Sequence, residues 1–417
     1  MENLEAYYGL SEEVKFCKKC VNSNQRPLST NEYEHNSKSK KDPLDFDESG
    51  VCNACKQMDI FWNEINWEER EEELKILLDK YRKSDGSYDV LVPGSGGKDS
   101  AFASHILKYK YDMNPLTVTW APHIYTDIGW QNFQKWIHIG GFDNYLFTPN
   151  GRVHSKLTEL SVRNLFHFFQ PFIIGQKNFA PKIANKFGID LIFYGEMPGQ
   201  YGEEISVKSG RKFGDSNKAK GFSIDRAGAN YSNYHIGGVK VENLINKYGL
   251  KPVDLLPYLP AGYSGEKIRK DINFYYLGYF LKWIPQEAYY YSIENTGFKA
   301  NPERTEGTYN KYSSLDDRID GFHYWSTFVK FGIGRATYDA AQEIRNKHLI
   351  REEGMALVKR FDGEFPKKYF DEILDYLSID KDEFFNIADK FRSPHLWKKV
   401  NGEWKLRHNV NKTGLDD

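Results

Sequence analysis

The stretch Gly94-Ser95-Gly96-Gly97-Lys98-Asp99-Ser100 follows the apolar run Tyr88-Asp89-Val90-Leu91-Val92-Pro93 and opens a segment of helical pattern. A glycine-rich turn between strand and helix leaves backbone N–H groups free to converge on an anion, and the helix N-terminus adds partial positive charge. The stretch therefore reads as a phosphate cradle. Residue type excludes two commoner cradles. A Walker A loop needs Gly at position 92 and Ser or Thr after the lysine, where Val92 and Asp99 stand; the third glycine of a dinucleotide fingerprint would fall on Asp99. Gly96 and Gly97 permit close backbone approach, Ser95 and Ser100 supply hydroxyls, and Lys98 can neutralise phosphate charge. Asp99 would repel phosphates unless it faced Mg²⁺ or capped the helix it begins, and both readings stand.

Outward from the loop, short β-rich runs alternate with helical stretches. Strands are expected at Tyr88–Pro93, Pro115–Trp120, Tyr145–Thr148 and Asp190–Tyr194, with helices from Asp99, near Gly129–Ile139 and near Val153–Phe169. This alternation predicts an α/β fold with a doubly wound, mostly parallel sheet. Ligands of such sheets bind beyond the carboxyl ends of the strands, where the Ser95–Ser100 loop lies. Two further carboxylates are candidates for the same ion. Glu196 directly follows the strand ending at Tyr194, and Asp127 follows Trp120 by several residues.

Residues 1–60 are polar and contain all four cysteines, as Cys17-x-x-Cys20 and Cys52-x-x-Cys55. Paired knuckles of this spacing can meet around one tetrahedral ion, and Zn²⁺ is the usual occupant of a four-cysteine site. An iron–sulfur cluster and two redox pairs are the alternatives. In so core-poor a module a structural zinc would supply most of the folding free energy, about 10 kcal/mol or more. From Trp67 to Lys83, Leu74, Leu77, Leu78 and Tyr81 recur at helical spacing amid dense charge, which predicts an amphipathic linker helix. The expected organisation is a four-cysteine module at 1–60, a linker helix at 61–85, a nucleotide domain at 86–260 and a mainly helical region at 261–417 that completes the site.

The 57 basic and 58 acidic residues leave a net charge of −1, so the chain shows no electrostatic footprint for nucleic acid. Met1–Glu5 lacks the basic and apolar segments of a secretory signal, which implies a cytoplasmic protein. Phe274–Ile284, the most apolar stretch, is interrupted by Lys282 and too short to cross a bilayer. It is read as core helix, and no membrane partner is expected. Lys330-Phe331-Gly332-Ile333-Gly334-Arg335-Ala336-Thr337 sets two cations beside two glycines. That suits a phosphate or carboxylate clamp, with a helix-capping turn as the alternative. Ammonia is commonly drawn from glutamine by a cysteine nucleophile. With all four cysteines in the knuckles, none is spare for that step.

Together these pieces resemble the N-acetyl sugar amidotransferases of bacterial surface-polysaccharide and nonulosonic-acid pathways. The resemblance rests on the paired CxxC module, Val118-Thr119-Trp120-Ala121-Pro122 through Tyr125-Thr126-Asp127-Ile128-Gly129, Tyr194-Gly195-Glu196, and Lys330-Phe331-Gly332 with Arg335-Ala336-Thr337. Ser95–Ser100 alone is similar to the loop of the wider ATP-pyrophosphatase (PP-loop) superfamily. The resemblance implies the adenine nucleotide alpha hydrolase-like fold with a zinc-ribbon-like module. It also implies an ATP- and Mg²⁺-dependent synthetase that turns the acetamido group of a sugar nucleotide or glycan precursor into acetamidino, releasing AMP and pyrophosphate. A separate glutaminase subunit would supply the ammonia. Ser95, Gly96, Gly97, Lys98, Asp99, Ser100 and Asp127 would hold the nucleotide, and Lys98, Asp99, Glu196, Lys330 and Arg335 would serve catalysis. A tRNA-modifying enzyme of the same superfamily is the alternative, opposed by the near-neutral charge and the lack of a further cysteine to carry sulfur. A zinc-ribbon binding protein with a vestigial loop is a second, opposed by the intact Ser-Gly-Gly-Lys-Asp-Ser.

Overall fold

The computed structural model describes residues 8–28, 32–202, 234–263, 267, 269 and 272–411. Met1–Glu5 lies outside them. The chain begins with the two cysteine knuckles, marked by isolated bridges Phe16 to Ser23 and Phe46 to Cys52. Helix α1 (Asn53–Asn63) starts in the second knuckle, and α2 (Trp67–Tyr81) is the linker helix expected from its periodicity. Asn66 caps α2, its side chain accepting from the N–H groups of Glu68 and Glu69.

Strand β1 (Val90–Pro93), helix α3 (Lys98–Tyr109), β2 (Pro115–Trp120), α4 (Asp127–His138), β3 (Asp143–Phe147), α5 (Gly151–Leu165), α6 (Gln170–Phe187) and β4 (Leu191–Tyr194) follow in the expected alternation except that two helices, α5 and α6, stand between β3 and β4 where one was expected. A small hairpin, β5 (His235–Ile236) and β6 (Val239–Lys240), precedes α7 (Val241–Asn246) and α8 (Pro252–Leu255). Strand β7 (Asn273–Tyr276) then closes the main sheet, whose order is β3-β2-β1-β4-β7 with every pairing parallel. Side chains alternate across β1. Leu91 packs with Leu116, Val118 and Ile192 beneath α5 and α6, whereas Val90 and Val92 pack with Leu74 and Leu78 of α2 and Ile106 of α3.

Phe274–Ile284 is not a core helix. Asn273–Tyr276 is rich in aromatic residues that suit a strand, and it pairs in parallel with β4 from Leu191 to Tyr194. Only one short turn, α9 (Leu277–Phe280), is helical before Pro285 starts α10 (Pro285–Thr296). The rest is helical: α11 (Asp320–Phe331), α12 (Arg335–Arg345), α13 (Arg351–Phe361), α14 (Phe370–Leu377) and α15 (Lys381–Lys390). A terminal hairpin of β8 (Trp397–Val400) and β9 (Glu403–Leu406) follows. Phe322, Trp325, Val329, Ile373, Leu377 and Phe384 form this region's core and close over Val162, Phe166 and Phe168 at the end of α5. No helix among the described residues is long and apolar enough to cross a membrane.

Candidate active site

In this sheet the strand order reverses between β1 and β4, and the crevice outside their carboxyl ends is where open α/β sheets take ligands. The loop Gly94–Gly97 leaves β1 at that point, and Gly195-Glu196 leaves β4 beside it. Steric constraints fix the glycines. A Cβ on Gly94 would lie 2.1 Å from Cβ of Ser100. Gly96, at φ +84°, would meet Cα of Phe133 at 2.7 Å. Gly97 differs: a Cβ there finds nothing nearer than Oγ of Ser95 at 3.8 Å, so that side of the loop faces open space. Gly97 is also the N-cap of α3, which settles one alternative. Asp99 does not cap the helix. Its Oδ2 accepts from Nζ of Lys98 at 2.7 Å, while its buried Oδ1 has no hydrogen-bond partner.

Glu196 reaches the same ground from the other strand. A Cβ on Gly195 would fall 2.4 Å from the carbonyl oxygen of Asp99, so β4 leaves the sheet in contact with the first turn of α3. Burial and then the Asp99 carboxylate push Glu196 up to about 7, partly offset by Lys98. Two carboxylates and an ammonium thus converge beside the loop. This set has the oxygen donors a Mg²⁺ ion requires beside a phosphate, with Asp99 and Glu196 as the residues able to hold it.

Ser100 donates its hydroxyl to the carbonyl of Gly97 at 3.1 Å. Ser95 lies near Asp316, a half-buried carboxyl that sequence reasoning missed; burial raises its pKa and the Ser95 hydroxyl lowers it. The segment carrying Asp316 runs antiparallel to the chain after β2, bridging Asp317 to Tyr125, and the N–H of Thr126 donates to the carbonyl of Asp316 at 3.1 Å. The adjacent Asp317 turns to His123. Its Oδ2 accepts from the His123 backbone N–H and pairs with Nδ1, each at 2.7 Å, and its Oδ1 accepts from the N–H groups of Ile124 and Ile319. Both oxygens of Asp317 are thus occupied by His123 and by backbone N–H groups. Nε2 of His123 is buried and without a hydrogen-bond partner among the described residues, and the ring stacks on His154, Phe169 and Phe172.

Other expected members lie elsewhere. Asp127 stands in the first turn of α4 behind the Thr126 cap; its side chain is 94 % exposed and 3.8 Å from Arg318, pointing outward rather than into the loop. Lys330 and Arg335 occupy separate networks. Lys330, 3 % exposed, donates to the carbonyl of Leu165 at 3.1 Å, and burial and then Lys41 bring it down to about 7. Arg335 is ion-paired with Asp339 at 3.1 Å, donates to Oγ of Ser314 at 2.9 Å and lies over the ring of Tyr324. The glycines between them do cap helices, Gly332 at the end of α11 with φ +69° and Gly334 at the start of α12.

The four cysteines form a second centre. All are buried free thiols whose sulfurs lie within 4.8 Å of one another, with Cys17 to Cys55 at 3.9 Å and Cys20 to Cys52 at 3.7 Å. A tetrahedral ion with metal–sulfur bonds near 2.3 Å requires edges of about 3.8 Å. The set fits one ion. Backbone N–H groups of Lys19, Cys20 and Cys52 point at Sγ of Cys17, and Arg345 at Sγ of Cys20. From this centre α1 packs on the turn Pro198–Tyr201 that follows Glu196, and Nδ2 of Asn53 donates to the carbonyl of Gly202 at 3.2 Å.

Residues 306–411 match the family described as LPS biosynthesis protein WbpG-like, C-terminal domain. An 84-residue stretch, 20 % of this chain, is 34 % identical to an uncharacterized protein of Methanocaldococcus jannaschii, of whose length it spans 29 %. Among solved structures, NMN synthetase from Francisella tularensis is similar over 32 % of this chain and 56 % of its own, at 15 % identity and a TM-score of 0.23. NH3-dependent NAD synthetase from Campylobacter jejuni, in complex with nitrate, is similar over 32 % and 58 %, also at 15 % identity and 0.23. Asp316, Asp317, Lys330 and Arg335 thus all stand in a segment that matches the WbpG-like C-terminal domain of LPS biosynthesis proteins.

Proposed function

We propose that this chain is an ATP-dependent, AMP- and pyrophosphate-forming synthetase that converts an acetamido group of a sugar or sugar nucleotide into an acetamidino group in surface-glycan biosynthesis. The observation that carries this reading is the Ser95–Ser100 cradle at the reversal of strand order, facing Glu196 and Asp99. An amide carbon resists ammonia because oxide is not a viable leaving group. In the proposed reaction the amide oxygen attacks the α-phosphorus of ATP and pyrophosphate departs. Ammonia then adds to the imidate carbon, gives up a proton, and AMP leaves. Mg²⁺ bound by Asp99 and Glu196 would share the charge building on pyrophosphate with the loop N–H groups and Lys98.

The match of residues 306–411 to a domain of LPS biosynthesis proteins supports a glycan substrate over the tRNA-modifying alternative. The cysteines support zinc in a structural role and leave no thiol to release ammonia from glutamine, so a separate glutaminase is the proposed partner, in the cytoplasm. The test incubates purified chain with ATP, Mg²⁺, ammonium at raised pH and a panel of acetamido sugars and sugar nucleotides. AMP, pyrophosphate and an amidine are expected, with no product from glutamine alone. ADP and orthophosphate as the nucleotide products would overturn the proposal.

A further inference from the structure

Beside the four cysteines, two arginines lie buried without a carboxylate. Arg345, the last residue of α12, is 5 % exposed and donates from Nη1 to Sγ of Cys20 at 3.9 Å, while its carbonyl accepts the indole N–H of Trp62 in α1 at 2.9 Å. Arg26 follows the first knuckle and is also 5 % exposed. It lies over the ring of Tyr338 of α12 at 4.8 Å and over that of Tyr201 at 5.8 Å. Between the two guanidiniums stands the fully buried Asn22, which, with its amide oxygen turned toward them, accepts from Nη1 of each at 3.2 Å. No carboxylate pairs with either arginine among the described residues. The neighbouring cations are accounted for differently. Lys19 sends its ammonium to the surface and pairs with Asp59, and the half-buried Arg351 donates from Nε to the carbonyls of Cys17 and Cys20, each at 3.2 Å.

A guanidinium keeps its proton inside a protein, so the fold buries two positive charges here. Buried charge is tolerated only beside charge of the opposite sign. Four neutral thiols offer none, whereas four thiolates around one divalent ion carry a double negative charge. The two requirements meet each other: without the ion both arginines are stranded, and without the arginines the excess charge of the filled centre is. Both arginines also hold the same elements. Arg345 and Tyr338 belong to α12, and Tyr201 ends the turn Pro198–Tyr201 that follows Glu196.

We propose that Arg345 and Arg26 are the counter-charges of a dianionic metal tetrathiolate, and that through them the filled centre holds α12 and the turn behind Glu196 in place. The proposal rests on the reading of the cysteines as a zinc site. Zinc affinity of the full chain, measured by competition with a chromophoric chelator, should fall about 10–100-fold in Arg345→Met, and Arg345→Lys, which restores the charge, should recover most of the loss. Arg351→Met removes a donor to the carbonyls of the same knuckle but none to sulfur, and serves as the packing control. With Co²⁺ in place of zinc, loss of the cation beside Cys20 should move the sulfur-to-cobalt charge-transfer band to longer wavelength in Arg345→Met and not in Arg351→Met. Arg26→Met takes the place of Arg345→Met should that variant fail to fold. Hydrogen exchange of wild type should show α12 and residues 198–201 less protected once the chelator has stripped the metal. An unmoved band, an equal loss of affinity in Arg351→Met, or α12 equally protected with and without the metal would overturn the proposal. A wild-type chain that takes up neither Zn²⁺ nor Co²⁺ would overturn the zinc reading with it, whereas uptake with an unmoved band removes the counter-charge alone.

Discussion

The loop's two adjacent glycines should respond oppositely to substitution, because one packs against protein and the other faces the ligand space. Gly97→Val adds a side chain where only Ser95 is near, so the variant should fold and melt close to wild type while losing AMP release. Gly96→Ala forces a side chain into left-handed backbone and against Cα of Phe133, and should lose about 1–3 kcal/mol in denaturant unfolding. Glu196 sets function against stability. A carboxyl raised to about 7 in the fold from ~4.3 in the unfolded chain costs nothing below that lower value, and its penalty builds as pH rises to 7 and persists above. Glu196→Gln should therefore melt higher than wild type at pH 8, match it at pH 4, and be inactive throughout. The loop and the cysteines are legible in the sequence because the residues of each are contiguous or closely paired along the chain. The dyad is not, since His123 and Asp317 are 194 residues apart. Its one signal is the position of His123, directly beyond a strand end and between two segments with recognisable motifs.

At the scale of elements, the contact of α4 with the 315–318 segment decides whether the loop is finished. A Cβ on Gly129 would come within 2.4 Å of Cα of Asp316, backbone that cannot swing aside. Gly129→Ala should push the two apart, withdraw Asp316 from Ser95, weaken ATP binding and cost about 1–3 kcal/mol of stability, read by nucleotide titration and by melting. Four of the five sheet strands are legible because β1, β2, β3 and β4 are apolar or aromatic runs punctuated by amphipathic helices. β7 is hidden by composition: Asn273–Tyr276 runs into Leu277–Ile284 without a break in hydropathy, and only pairing with β4 separates strand from helix. Lys330 and Arg335 show the converse difficulty. Their spacing suggests a shared clamp, but the two helix caps at Gly332 and Gly334 turn the chain between them and send each cation to different partners.

Across the whole molecule, the four-cysteine centre and the candidate active site share one run of chain. Gln200, four residues beyond Glu196, donates from Nε2 to Oδ1 of Asn346 at 3.4 Å and accepts from Gln342, while Arg345 reaches Cys20. Removing the metal with a chelator, or replacing Cys20 with Ser, should abolish turnover at temperatures where circular dichroism still reports the sheet. Elemental analysis of the intact chain should find about one zinc per chain. The cover over the thiols has a further consequence, for synthesis. Arg345 follows Cys20 by 325 residues, a delay of roughly 15–65 s at ribosomal speed. During translation the knuckles emerge long before Ala340, Ala341 and Val410, which pack over them in the finished protein. An ion bound by these thiols would meet them while they are still open to solvent, and the last hundred residues would seal in a metal they had no part in recruiting.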